Sequence, residues 1–402
     1  MASVTPVYKT IAGQSKGYFI WLAALALLVL VGALASHHME SYGHVVTGMN
    51  NQVVWGMPHV FAVFLIVAAS GALNMASLGS VFGKSEYKPM ARLSALLAMA
   101  LLVGGLIILV LDLGRPDRLI VAMTTYNFKS IFAWNIFLYT GFLAVVGVYL
   151  WMMFEPRMNQ FSGKVGKFAF AWRFILTTGT GSIFGFLVAR QAYDAAIMAP
   201  MFILMSLAFG TAVFILVLHA VATSTGRELD DATVGRLRHL LGLFVMAVMY
   251  FVLVYNLTNL YITEHHGIER FILADGGVYT TLFWWVQVLL GGIIPLLLIY
   301  LPKFSQRKWT LIACVLVILG GFAQLYVLII GGQAYPLDIF PGMQVVNSGF
   351  QDGVVANYAP SLAEILLGIG GIALALLITT VAMRVLPFLP ERFSMPSDDA
   401  KT

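Results

Sequence analysis

Ten apolar stretches, each close to the length of a bilayer crossing, follow one another along this chain and leave little room for anything else. They run approximately over 18–36, 54–81, 90–111, 131–154, 172–189, 197–222, 240–261, 279–301, 309–331 and 360–386. A spanning helix needs roughly 20 predominantly apolar residues, and a lipid-exposed backbone must satisfy its own polar groups internally. The expected fold is therefore an all-α integral membrane protein with about ten transmembrane helices. The 10% share of charged residues agrees, since soluble domains carry about 25%. The longest connection, 332–359, is too short to fold alone, so residues 1–402 are read as a single polytopic domain. The one cysteine, Cys314, lies inside an apolar run. Disulfides, cysteine-ligated clusters and cysteine zinc sites are thereby excluded within the chain.

Lys9 and Lys16 precede an apolar run ending in Ala33-Leu34-Ala35, a pattern that a secretory signal shares. The run from Tyr18 to Ala35 is longer than the usual signal core of about 7–15 residues, so a retained first helix is expected. Lysine and arginine then orient the chain. Of the 23, 18 fall on one set of alternate connections, which includes both termini, and five on the other. Both termini are thus expected in the cytoplasm, and the connections after segments 1, 3, 5, 7 and 9 outside. The net charge of +5 reflects these basic loops and not nucleic-acid binding.

The outward side collects the unusual residues. His59 opens segment 2, whose Ser70, Asn74 and Ser77 share its face at about 100° per residue. A polar stripe on a membrane helix faces protein, water or a ligand. We read this one as a wall of the functional site, although the serines and the asparagine equally suit hydrogen bonding between helices. Asp112 closes segment 3 in Leu111-Asp112-Leu113-Gly114-Arg115-Pro116-Asp117-Arg118. Arg190 and Asp194 follow segment 5, Glu264, His265 and His266 follow segment 7, and Glu364 begins segment 10.

An intrinsic haem would need two histidines at matching depth. His59 and His219 lie at opposite ends, His239 is cytoplasmic, and His37, His38, His44, His265 and His266 sit at outer helix ends or in loops. Haem is not expected, although pairing of His37 or His38 with His59 stays open. His219, near the inner end of segment 6, is a candidate for proton entry or an interfacial structural residue. Thr177, Thr178, Thr180 and Ser182 in segment 5 suit either a hydrated path or back-bonding to helix carbonyls. The same holds for Asn256, Asn259 and Gln287. Metal-hydrolase, phosphate-loop and serine-nucleophile signatures are absent.

Pro58-His59-Val60-Phe61 leading into Ser70-Gly71-Ala72, the Asp112-Leu113-Gly114-Arg115-Pro116 turn, and the Phe132-Ala133-Trp134 entry to segment 4 resemble the NrfD/PsrC family. Its members are membrane subunits of polysulfide reductase-like complexes. Asp275-Gly276-Gly277-Val278-Tyr279 through Phe283-Trp284-Trp285 to Pro295, and Tyr358-Ala359-Pro360-Ser361 with Glu364, are similar to the ten-helix branch. That branch includes hydrogenase, alternative complex III and Dsr-complex membrane subunits, the last standing nearest. The resemblance implies two four-helix bundles, segments 2–5 (within 53–199) and 6–9 (within 200–331). Segments 1 and 10, within 1–52 and 332–402, flank them. It implies no intrinsic haem, iron–sulfur cluster or metal. It implies a quinone, menaquinone or ubiquinone, as bound substrate near the outer face, and an outer-face iron–sulfur partner with further redox subunits such as cytochromes. The expected location is a bacterial or archaeal cytoplasmic membrane.

Within this resemblance His59, Trp55, Asp112, Arg115 and Tyr193 are the expected quinone-binding residues. Asp112, Asp194, Glu264, His219 and Glu364 are the candidates for proton transfer. Segment 5 departs from the family, with Ile183 where relatives carry a tyrosine and Tyr193-Asp194 where they carry a Trp-Asn pair. The chemistry suits the role. A quinone site needs an apolar cleft with one or two hydrogen-bond donors, and an imidazole both donates and takes a proton near neutrality. Competing readings are a transporter or channel for a small anion, and a pure membrane anchor for a soluble redox subunit.

Overall fold

The computed structural model describes residues 6–337 and 353–393. Its long helices are α1 Lys16–Tyr42, α2 Met57–Ser80, α3 Ser85–Leu111, α4 Ile131–Phe154, α5 Ser162–Gly185, α6 Met198–Thr225, α7 Asp231–Tyr261, α8 Val278–Tyr300, α9 Arg307–Ala334 and α10 Leu362–Val385. Among the described residues nine of these are long and apolar enough to cross a membrane. The tenth, α5, is a helix of 24 residues that carries Lys164, Lys167 and Arg173 in its first half. It packs between α4 and α6 all the same. The helices α1, α5 and α7 outrun their apolar segments, α1 ending at Tyr42, α5 beginning at Ser162 and α7 at Asp231. Their extra turns carry charged residues, among them Glu40 in α1, Lys164 and Lys167 in α5 and Asp231, Arg236 and Arg238 in α7.

The molecule is built around α2. This helix is almost wholly buried and packs on α3, α5, α6, α9 and α10. Its closest crossing is with α6. A Cβ built on Gly71 would lie 1.6 Å from the carbonyl oxygen of Ser206 and 3.1 Å from the Cα of Gly210. Small residues let membrane helices approach to backbone contact, and the same device joins Gly32 of α1 to Gly370 of α10 and Gly291 of α8 to Gly320 of α9. In contrast to α2, α1 packs chiefly on α10 and exposes much of its length.

Burial on every side settles the polar stripe of α2, and corrects its reading as a site wall. Ser70 Oγ lies 2.7 Å from Thr177 Oγ1 of α5. Asn74 donates to Thr211 Oγ1 of α6 at 2.9 Å and accepts from the Arg173 guanidinium. Ser77 bonds back to the Leu73 carbonyl at 3.0 Å. These groups are satisfied between helices, as buried polar atoms must be, and of the stripe only His59 reaches the end of the bundle. Thr177 and Thr180 likewise bond back to the carbonyls of Arg173 and Leu176.

Two features shape the ends. In α8 the turns over Leu282–Ile293 are wound as π-helix, just before Pro295, whose nitrogen has no hydrogen to return to the preceding turn. At the end opposite His59, β1 Tyr8–Lys9 pairs antiparallel with β2 Leu389–Pro390. Arg92 stacks there on Tyr8 and Phe154.

Candidate functional site

At the other end, the chain entering α2 is held in place by two side chains from distant segments. Gln333, at the end of α9, accepts from the backbone N–H groups of Val54 and Trp55, both at 3.0 Å, and donates to the Trp55 carbonyl at 3.0 Å. Glu364, in the first turn of α10, accepts from Gly48 N–H at 2.9 Å, Ser361 N–H at 2.7 Å and the Tyr358 hydroxyl at 2.7 Å. That hydroxyl in turn accepts from Met57 N–H at 2.7 Å. Arg190 adds a third tie, donating to the carbonyls of Gln52 and Gln333. The segment from Gln52 to Gly56 is therefore fixed although it has no regular structure, and it delivers Trp55 and His59 in defined positions.

His59 Nδ1 lies 3.1 Å from Asp112 Oδ2, and His44 Nε2 lies 3.5 Å from Asp112 Oδ1. The Asp112 side chain is 1% exposed and that of His59 is 23% exposed. Asp112 caps the C-terminus of α3, where the helix dipole already presents negative charge. Among the described residues, the basic groups within ion-pair distance of Asp112 are the two imidazoles. The alignment is poor for hydrogen bonding. Both Asp112 oxygens and His59 Nδ1 are buried without a well-directed partner.

Aromatic rings surround this pair on one side. The Trp55 indole stacks with His59 (ring centroids 6.2 Å apart) and with Tyr193 (6.3 Å), and meets Phe184 and Phe132 edge-on at 5.9 and 6.1 Å. Phe132 is 45% exposed, so the platform opens toward the surface of the bundle. Tyr193 is enclosed. Its hydroxyl donates to the Ile329 carbonyl at 2.7 Å, and burial pushes its phenol well above the usual range.

The other expected residues lie elsewhere. Arg115 turns away from Asp112 and pairs with Asp117 through two hydrogen bonds of 3.0 and 2.9 Å on the surface. Asp194 and Glu264 are exposed loop carboxylates at the His59 end. His219 sits toward the opposite end of α6 with its Nδ1 buried and unpartnered. Both oxygens of Glu364 are engaged by the three donors named above. The His38 ring packs on Tyr42 at 4.8 Å, and it is His44 that reaches Asp112. Sequence reasoning did not single out His44, Phe184 or Gln333 for the site. No spacing along the chain signals them, because each arrives from a separate element.

Fold and site together define a multi-pass, all-α integral membrane protein with a half-buried histidine facing a buried carboxylate, and an aromatic platform, at one end. The sequence model of the family described as "Polysulphide reductase, NrfD" matches residues 45–336, and the chain belongs to that family. It is similar to the Hdr-like menaquinol oxidoreductase integral membrane subunit of Archaeoglobus fulgidus, with 29% identity over 96% of this chain and 97% of the relative. It is also similar to a putative dimethyl sulfoxide reductase membrane subunit of Halobacterium salinarum, with 27% identity over 95% and 93%. The integral membrane subunit of menaquinone reductase from Nitratidesulfovibrio vulgaris matches at 21% identity over 93% of this chain and 92% of its own length.

Proposed function

We propose that this chain is the quinone-reactive membrane subunit of a respiratory or sulfur-metabolism redox complex. In this reading it passes electrons between the membrane quinone pool and an iron–sulfur partner docked at the His59 end. The observation that carries the proposal is the buried Asp112 carboxylate facing His59 beside the Trp55 platform. A quinone headgroup is a flat apolar ring with two polar oxygens, and such a ligand asks for aromatic surface plus one or two donors. Oxidation of a quinol to a quinone releases two electrons and two protons. The electrons leave to the partner, and the protons need acceptors at the ring. His59 turns Nδ1 toward Asp112, which leaves Nε2, on the far side of the imidazole, to meet a headgroup oxygen. A proton taken there is held against the Asp112 charge. The quinone class is menaquinone, in keeping with the names of the Archaeoglobus and Nitratidesulfovibrio relatives. The basic bias of the opposite end supports a cytoplasmic location for the termini, and in this reading the redox partner docks outside. Helices α2–α5 and α6–α9 form the two four-helix bundles in this reading.

The test is a titration of the purified complex with a fluorescent quinol analogue. Saturable quenching is expected in the wild type, with affinity reduced more than about tenfold in His59→Ala, the loss of roughly one good polar contact at 1.4 kcal/mol per decade. Quenching unchanged by the substitution would remove His59 from the site. A second expectation concerns Asp112→Asn, which keeps the shape but removes the charge. It should leave analogue binding within about threefold while slowing quinol-linked turnover by about 10²-fold or more, the scale of a lost acid–base group. Equal effects on binding and turnover would assign Asp112 to headgroup binding instead.

A further inference from the structure

A second buried acid lies among α6–α9, away from the His59 platform. Glu269 sits in the short helix His266–Arg270 between α7 and α8 and is 2% exposed. Its Oε2 accepts from Asn259 Nδ2 at 3.2 Å, and Asn259 Oδ1 lies 3.0 Å from His265 Nδ1. Its Oε1 is buried with no partner. Among the described residues no lysine or arginine pairs with it, since Arg270 beside it is exposed and bonded to Asp275. The groups that face it are all neutral or weakly basic. They are Tyr255 and Asn259 from α7 and His265 from the turn, with the amides of Gln287 from α8 and Gln324 from α9 across the space it borders. The Tyr255 hydroxyl is committed to the Ala192 carbonyl at 2.6 Å.

Glu269 borders a cavity of about 50 Å³, lined also by Asn256, Gln287 and Gln324. A second cavity of about 20 Å³ shares Val252, Gln287 and Gln324 with it and ends at the Gly291–Gly320 crossing. One water needs about 10–15 Å³ of such space and two to four polar partners. The pair therefore suits a few waters and is far too small for a quinone. Gln287 lies nine residues into α8 and Gln324 ten residues before the end of α9. Both amides thus lie several turns inside helices long and apolar enough to cross a membrane.

We propose that Glu269 is a proton-binding site that serves a short water-holding path from this end of the protein several turns into the bundle. Asn259, oriented by His265, fixes one carboxyl oxygen and leaves the other to the cavity. Burial pushes the carboxyl up to about 7, so protonated and charged forms coexist near neutrality. This site is independent of the quinone reading, because its loading is measured without quinone.

Infrared difference titration of the purified complex over about pH 5–9, a window that brackets the raised carboxyl, provides the test. A protonated-carboxyl band should fade through neutrality in the wild type, shift promptly in D₂O and be absent from Glu269→Gln. That variant should retain quinol-analogue binding at His59. Because the folded carboxyl holds its proton more tightly than an unfolded one, wild-type stability should fall as pH rises from the ordinary carboxylate range to about 7 and then level off. Glu269→Gln should lack this slope. Gln324→Leu, which removes a polar partner from the cavity waters, should raise the midpoint of the band. Persistence of the band in Glu269→Gln would overturn the site. A wild-type band that neither titrates nor shifts in D₂O would show a sealed acid and overturn the path, and so would an unmoved midpoint in Gln324→Leu.

Discussion

Gly71→Ala is expected to leave little folded protein in the membrane. The new methyl carbon would stand 1.6 Å from the Ser206 carbonyl oxygen and 2.5 Å from its carbon, and neither is the movable end of a side chain. Relief requires α2 and α6 to separate, yet α2 is packed on α3, α5, α9 and α10 as well. Any retreat opens voids on one side as it closes the clash on the other. Overpacking a well-packed core costs about 1–3 kcal/mol and more where backbone must move, and total stabilities are only about 5–15 kcal/mol. The loss here should lie at or above the top of that range. The yield of monodisperse protein and its thermal melt provide the measurement, with Gly235→Ala, where the added carbon meets open space, as the control. A melt of Gly71→Ala equal to that control would contradict the crossing described here.

Glu364→Ala should be nearly as damaging, for a different reason. Truncation leaves Gly48 N–H, Ser361 N–H and the Tyr358 hydroxyl without their acceptor at a site where Glu364 itself is fully buried. An orphaned buried polar group costs about 1–3 kcal/mol, so three of them imply a loss of more than about 3 kcal/mol. Glu364→Gln separates size from charge. It restores the volume and can keep an oxygen on the Gly48 and Ser361 N–H groups, but its amide N–H₂ then meets the Tyr358 hydroxyl, which loses its acceptor, so it too should melt below the wild type. Because Tyr358 also holds Met57, quinol-analogue binding should weaken in any Glu364 variant that still folds. A stable Glu364→Gln variant with normal binding would dissociate this carboxylate from the entry to α2.

Long apolar runs made the helices legible from composition alone, since in lipid a run of that length has almost no other fate. The charge-bearing extensions of α1, α5 and α7 were not legible, because the apolar signal ends and the helix continues. His59 and Asp112 were readable as polar residues at the ends of successive helices, and the fold brings them together. Arg115, three residues beyond Asp112, looked equally placed to meet it. The turn through Gly114, with its positive φ of 68°, sends Arg115 to Asp117 instead. The stripe of Ser70, Asn74 and Ser77 misled because a period of 3.6 identifies a face without saying what covers it. Glu269 carried no signal at all. It follows Glu264, His265 and His266 in a stretch that reads as an ordinary polar loop, and only the short helix of the turn carries it inward.

The meeting of α1 with α10 bears on how the molecule is made. On a ribosome, α1 leaves the exit tunnel and enters the bilayer before its main packing neighbour has been translated. For the whole time needed to make the intervening helices, its Gly32 surface is open to lipid or to other nascent helices. The final docking of α10 both covers that surface and brings Glu364 to Gly48 and Tyr358. Completion of the His59 end is thereby tied to α10, the last of the described long helices. Truncated products would insert readily and yet lack an ordered entry to α2, which gives a quality-control protease a structural difference to recognise.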